Sequence, residues 1–119
     1  MPIRQQITQG MALQLENRRD ALLAGQTHLG WKLGFNDPAA RERCQLPSPI
    51  AGYLTHSTLL AQNSSYQADE NASILLEAEL AIQITQDVDQ PIDQHDAEGL
   101  ISAVAPAIEL VDMSAGMDD

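Results

Sequence analysis

The run Ile74–Thr85 (Ile-Leu-Leu-Glu-Ala-Glu-Leu-Ala-Ile-Gln-Ile-Thr) constrains this chain more than any other stretch. From Leu76 onward it alternates. Leu76, Ala78, Leu80, Ile82 and Ile84 fall on one side, and Glu77, Glu79, Ala81, Gln83 and Thr85 on the other. A period of two marks a β-strand with one face turned to a core. The polar face opens with two carboxylates two residues apart, roughly 6–7 Å along the backbone. On pattern alone that pair is a solvated strand face first and a shared cation site second.

The charge balance narrows the partners. Seventeen acidic side chains oppose six basic ones, a formal charge of -11. Such a chain repels a phosphate backbone or an anionic bilayer, so the reading is no nucleic acid and no membrane. Divalent cations suit it better. All six basic residues lie within residues 1–68, and residues 69–119 contain neither Lys nor Arg. That asymmetry predicts a cation site or a missing partner surface. With 119 residues and 44% hydrophobic content, the chain suffices for one ordinary domain. Its aromatics are only Trp31, Phe35, Tyr53 and Tyr66, so a core must come from Leu, Ile, Val and Ala.

Cys44 is the single cysteine, which excludes an intrachain disulfide and fits a reducing compartment. It reads as a buried or partly buried thiol before a nucleophile. No run approaches the roughly 18 apolar residues of a membrane span, and no signal-peptide pattern opens the chain. A cytoplasmic location is expected.

Residues 3–24 read as a helix, with Ile3, Ile7, Met11, Leu15 and Leu22 spaced near 3.6 and Arg18 and Arg19 on the turn between the last two. Gly10 weakens its middle, so a start near Thr8 is the alternative, and Gly25 is a stop signal. Gly30-Trp31-Lys32-Leu33-Gly34-Phe35 reads as a short strand. Glycine inside a strand marks a close approach of backbone or ligand. Lys32 is the only lysine in the protein and stands between glycines, so it reads equally as a functional cation and as a routine surface one. Asp37-Pro38 begins a short helix, and Ile50–Leu54 is a strand or extended loop. His56 reads as a turn or surface histidine before a ligand. Asp87–Pro91 lacks the glycine and terminal glutamate of a calcium loop. A helix over 94–105 follows, capped by Asp93 or Asp96, buried along Leu100, Ile101 and Val104, and ended by Pro106. Ile108–Asp112 is a strand with Glu109 on the face away from Ile108 and Leu110. Residues 113–119 read as a frayed end.

Four blocks then stand in a distinctive order: Gly30–Phe35, Pro49-Ile50-Ala51-Gly52-Tyr53-Leu54, Glu77-Ala78-Glu79-Leu80-Ala81, and Ala105-Pro106-Ala107-Ile108-Glu109-Leu110-Val111-Asp112. In this order and spacing they resemble the 2-oxopent-4-enoate hydratase and 4-oxalocrotonate decarboxylase family of the fumarylacetoacetate hydrolase-like superfamily. The resemblance covers residues 30–112. It implies an α+β fold, an N-terminal helix followed by part of a mixed β-roll, whose sheet is completed by another chain or missing.

The same resemblance implies a site. Glu77, Glu79 and Glu109 match the carboxylates that hold Mg²⁺ or Mn²⁺, and Lys32 matches the family's lysine, which would hold a substrate carboxylate or assist proton transfer. Three carboxylates with no obligatory histidine make a hard oxygen site, as these cations require. The implied substrate is a small 2-oxo or 2-hydroxydienoic acid, and the implied reaction is hydration of 2-hydroxypenta-2,4-dienoate or the related decarboxylation. Relatives continue past the Val-Asp step with Ser-Arg, where this chain has Met113-Ser114. They are also about twice as long. The chain is therefore expected to be a single partial hydratase-like domain over 1–119, working as a homo-oligomer or with a complementing chain, or persisting as a non-catalytic homologue.

Overall fold

The computed structural model describes residues 2–114 and divides into two compact units, Met1–Ser64 and Ser65–Asp119. The architecture is α+β: an N-terminal helix and two small antiparallel sheets of two strands each.

The first unit holds α1 (Ile3–Leu23), β1 (His28–Gly34), α2 (Pro38–Arg43), β2 (Ile50–Thr55) and a 3₁₀ turn, His56–Thr58. Helix α1 begins at Ile3 rather than Thr8, because the Gln5 and Gln6 amides already donate to the Pro2 carbonyl at 2.9 and 3.2 Å. It ends as the sequence predicts. Gly25 adopts φ +94, its amide donates to the Leu22 carbonyl, and the Gln26 amide donates to the Ala21 carbonyl. Those two bonds form a Schellman cap, whose left-handed position favours glycine. The half-covered stripe of α1 runs Ile7, Met11, Gln14, Arg18 and Leu22, while Ile3 and Leu15 are exposed. Gln14 and Arg18 follow the 3.6-residue drift more closely than Leu15 does. Arg18 uses its place on that stripe: its guanidinium carbon lies 5.2 Å from the Trp31 ring centroid, a cation–π contact.

Strands β1 and β2 pair with Trp31 opposite Tyr53, Lys32 opposite Gly52 and Gly34 opposite Ile50. Asp37 caps α2, its carboxylate accepting from the Ala40 amide at 2.9 Å. Arg41 reaches back to the Phe35 and Asn36 carbonyls at 2.9 and 2.7 Å, fixing the turn where Phe35 takes φ 60. Thr55, only 3% exposed, shares a hydroxyl hydrogen bond with Ser57 at 2.8 Å, and Ser57 donates to Gln26 at 3.1 Å. This polar knot ties the end of β2 to the segment that follows α1. Cys44 is exposed, against the expectation of a sheltered thiol. It sits at the C-terminal cap of the short α2, a helix that buries none of its residues.

The second unit holds β3 (Ile74–Ile84), α3 (Gln94–Gly99) and β4 (Ile101–Asp112). Here the sequence reading needs correction. The expected helix over 94–105 stops at Gly99, and Ile101 and Val104 belong to a strand. Asp93 caps the helix as predicted, accepting from the Asp96 amide at 2.8 Å. Pro106 does not end a helix but sits within β4 opposite Leu80. Counting along the ladder from the Met113 amide, which donates to the Ser73 carbonyl at 2.8 Å, Pro106 falls at a non-hydrogen-bonded position. Its missing N–H therefore removes no ladder bond, and both strands of a two-stranded sheet are edges, where proline is tolerated. That same Met113 bond carries the ladder one pair past Asp112, into the segment read as frayed. Residues 115–119, the rest of that segment, lie outside the described residues.

The strand over Ile74–Ile84 forms as predicted, yet its apolar face does not meet a core. Leu80 is 70% exposed and Ile108, on the same face, 73%. Among the described residues no hydrophobic side chain is fully buried. A ribbon of two strands makes its ladder from backbone alone and leaves each face to be covered by something else.

Candidate metal centre

The register of β3 and β4 decides which side chains meet. Glu77 stands opposite Glu109, and Glu79 opposite Ala107. By the ladder count, Glu77 and Glu109 occupy a hydrogen-bonded pair, with Cα atoms about 5.5 Å apart in such geometry. Glu79, two residues from Glu77, shares their face. One carboxylate oxygen from each of the three lies within 4.8 Å of the others. Glu77 and Glu79 are exposed and Glu109 is half-buried.

Their neighbours on this face leave them room. Ala81, Ala105 and Ala107 present only methyl groups, so nothing bulky separates the carboxylates. Convergence has an electrostatic cost. Like charges placed directly across a sheet destabilise it by roughly 0.2–1 kcal/mol, and two unit charges at this separation repel by about 1 kcal/mol even in bulk water. A divalent cation converts that repulsion into attraction. The donor set fits a hard ion: it consists of carboxylate oxygens, with no histidine or thiolate in the group. Exposure leaves room for further oxygen ligands, as Mg²⁺ usually retains several waters.

The triad lies on an open sheet face rather than in a cavity. A depression of about 550 Å³ in the same unit is lined by Gln86, Ile92, His95, Asp96, Glu98, Gly99 and Leu100, and includes none of the three glutamates. Asp112, at the end of the same strand, is held by the turn that follows it. Its carboxylate accepts from the Ser114 amide at 2.9 Å and from the Ser114 hydroxyl at 2.5 Å.

No protein-family model, no curated protein and no solved structure matches this chain. The functional reading therefore rests on the residues themselves. Of the four residues singled out from the sequence, the structure brings together Glu77, Glu79 and Glu109. Lys32 belongs to the first unit, on β1, with an exposed side chain and Gly52 as its cross-strand partner. Sequence reasoning gave no role to Arg18 or to Gly52. For Arg18 the available signal was its place on the drifting helical stripe. For Gly52 it was a glycine inside a short strand.

Proposed function

We propose that this chain belongs to a divalent-metal-dependent lyase acting on small 2-oxo and 2-hydroxydienoic acids. The preferred reaction is hydration of 2-hydroxypenta-2,4-dienoate to 4-hydroxy-2-oxopentanoate. The observation that carries the reading is the convergence of Glu77, Glu79 and Glu109 across two strands that are far apart in sequence. In this reading the fold is part of a mixed β-roll of the fumarylacetoacetate hydrolase-like type, located in the cytoplasm. No described helix is long and apolar enough to cross a membrane.

The three glutamates would hold Mg²⁺ or Mn²⁺. When bound, such a cation supplies Lewis acidity to a 2-oxo group and its adjacent carboxylate. Lys32 contributes a positive charge for a substrate carboxylate, the role a lysine fills through a charge-assisted hydrogen bond. The overall change is addition of one water: a proton goes to C5 on tautomerisation to the keto form, then hydroxide equivalent adds at C4 and a proton at C3. Decarboxylation of a related 2-oxo diacid needs the same electron sink and the same residues, so it stands as the alternative chemistry.

A second reading is favoured by the bare apolar face of β3 and β4. The chain would then be a subunit, catalytic or not, whose sheet is completed by another copy or by a complementing chain. Exposed strand edges and a large uncovered apolar face are liabilities that such a partner removes.

Titration calorimetry with Mn²⁺ and Mg²⁺ tests the metal site. The wild-type chain should bind one ion, and Glu77→Gln should weaken binding by about tenfold or more, the loss of one charged ligand. Absence of binding, or equal binding by the variant, would overturn the assignment. Loss of the ultraviolet absorbance of 2-hydroxypenta-2,4-dienoate in the presence of metal then separates a lyase from a non-catalytic homologue.

A further inference from the structure

The glycines of the first sheet are not equivalent. Around Gly30 an added Cβ would meet nothing within 4 Å, and at Gly34 it would meet only the Ile50 carbonyl oxygen at 4.0 Å. Gly52 differs. A Cβ there would lie 3.3 Å from both Cγ and Cε of Lys32 and 3.8 Å from Nε2 of Gln14 on α1. Gly52 is buried, whereas Lys32 is exposed. The stem of the lysine therefore borders the space that a side chain at Gly52 would fill, and the amide of Gln14 borders the same space. Lysine commonly covers apolar surface with its methylenes while its ammonium stays in water. Here the covered surface is a backbone directly across the ladder.

We propose that Gly52 is a positioning residue for Lys32: the absence of a side chain at Gly52 sets the direction in which the only lysine of the protein presents its ammonium to a carboxylate ligand. The inference rests on the reading of Lys32 as the carboxylate-binding cation. Its physical basis is steric. At 3.3 Å the contact is tighter than ordinary van der Waals packing, so an alanine methyl displaces whatever can move. A flexible lysine stem moves far more easily than a strand. Gly52→Ala should consequently leave the fold intact and redirect the ammonium. The stem has to give by a few tenths of an ångström, and a small misplacement of a positioned group can cost more in function than in stability.

The protein has a single lysine, so protein labelled with ¹³C-lysine gives one ε-methylene signal. In the wild type that signal should show nuclear Overhauser contacts to the Gly52 Hα protons. Gly52→Ala should shift the signal while leaving the unfolding midpoint unchanged or slightly raised. Gly30→Ala, a substitution into open space on the same sheet, should leave the signal in place. With 2-oxopentanoate as the probe, the wild-type ε signal should move on titration, and Gly52→Ala should weaken that binding about tenfold, the loss of one charge-assisted hydrogen bond. No contact to Gly52 in the wild type, or an unmoved signal and equal affinity in Gly52→Ala, overturns the proposal. If instead Gly52→Ala displaces the signal but 2-oxopentanoate perturbs Lys32 in neither protein, the positioning stands and the carboxylate-binding reading of Lys32 falls.

Discussion

Glu77 and Glu109 face each other in the ladder, and this one juxtaposition sets opposite expectations in two conditions. With a chelator present, their repulsion opposes pairing of β3 with β4, so Glu77→Gln should raise stability by roughly 0.2–1 kcal/mol. With saturating Mn²⁺ the wild type gains the binding free energy and the variant does not, so the order reverses. Thermal unfolding in both conditions checks this. A variant that is stabilised or destabilised alike in each would remove the cation from the account. How much of the site was legible beforehand follows from the same residues. Alternation along Ile74–Thr85 was enough to put Glu77 and Glu79 on one face, because the period of a strand is a local property. Glu109 could not be joined to them by local reasoning, since its place depends on the register between strands about thirty residues apart in sequence. Only the resemblance brought it in. The glycine under Lys32 was illegible for a related reason: a cross-strand contact is written in two separate blocks.

At the level of elements, start and stop signals read well and interior patterns read poorly. Gly25, Asp37 and Asp93 act through backbone groups only a few residues away, so their effect survives any change in surroundings. Gly25 gives a direct check. At φ +94 an alanine is strained, and Gly25→Ala should destabilise the first unit by about 1–2 kcal/mol, measured as a lowered urea midpoint with unchanged slope. The error over 94–105 has the opposite origin. Ile101 and Val104 fit a helical stripe as well as a strand, and short apolar runs cannot be separated by periodicity alone. What decides is pairing: β3 offers an eleven-residue partner, and β4 matches it from Ile101 to Asp112. Ser102 marks the adjustment. It sits at the ladder's irregularity beside Gln83 and Ile84, and its hydroxyl donates to the Gln83 carbonyl at 3.1 Å.

Across the described residues, the governing fact is an apolar surface with no fully buried hydrophobic side chain beneath it. Leu76, Leu80, Ile82, Val104 and Ile108 line one face of the second sheet, and all are exposed. Sequence alternation predicted that this face would be covered. It carried no information on what covers it, because a period of two specifies a burial direction and not a neighbour. If the face is the seat of a second copy or a complementing chain, then at micromolar concentration the purified protein should sediment faster than a 12.9 kDa monomer. The pair of changes Leu80→Glu and Ile108→Glu should return it to monomer, with strand content retained by circular dichroism. A wild type that sediments as a monomer at every concentration would rule out self-association on this face.

Helix α2 has a consequence at this same scale. Arg43 ends it, exposed, and no lysine or arginine follows anywhere in the chain. For a trypsin-like protease it is the final cleavage point. A cut there opens the connection between β1 and β2, leaving the Lys32 strand on one fragment and Gly52 with all three glutamates on the other. The pairing of β1 with β2, together with the Ser57–Gln26 hydrogen bond, would then hold the two pieces together, so a molecule cut after Arg43 can be asked whether its halves reassemble.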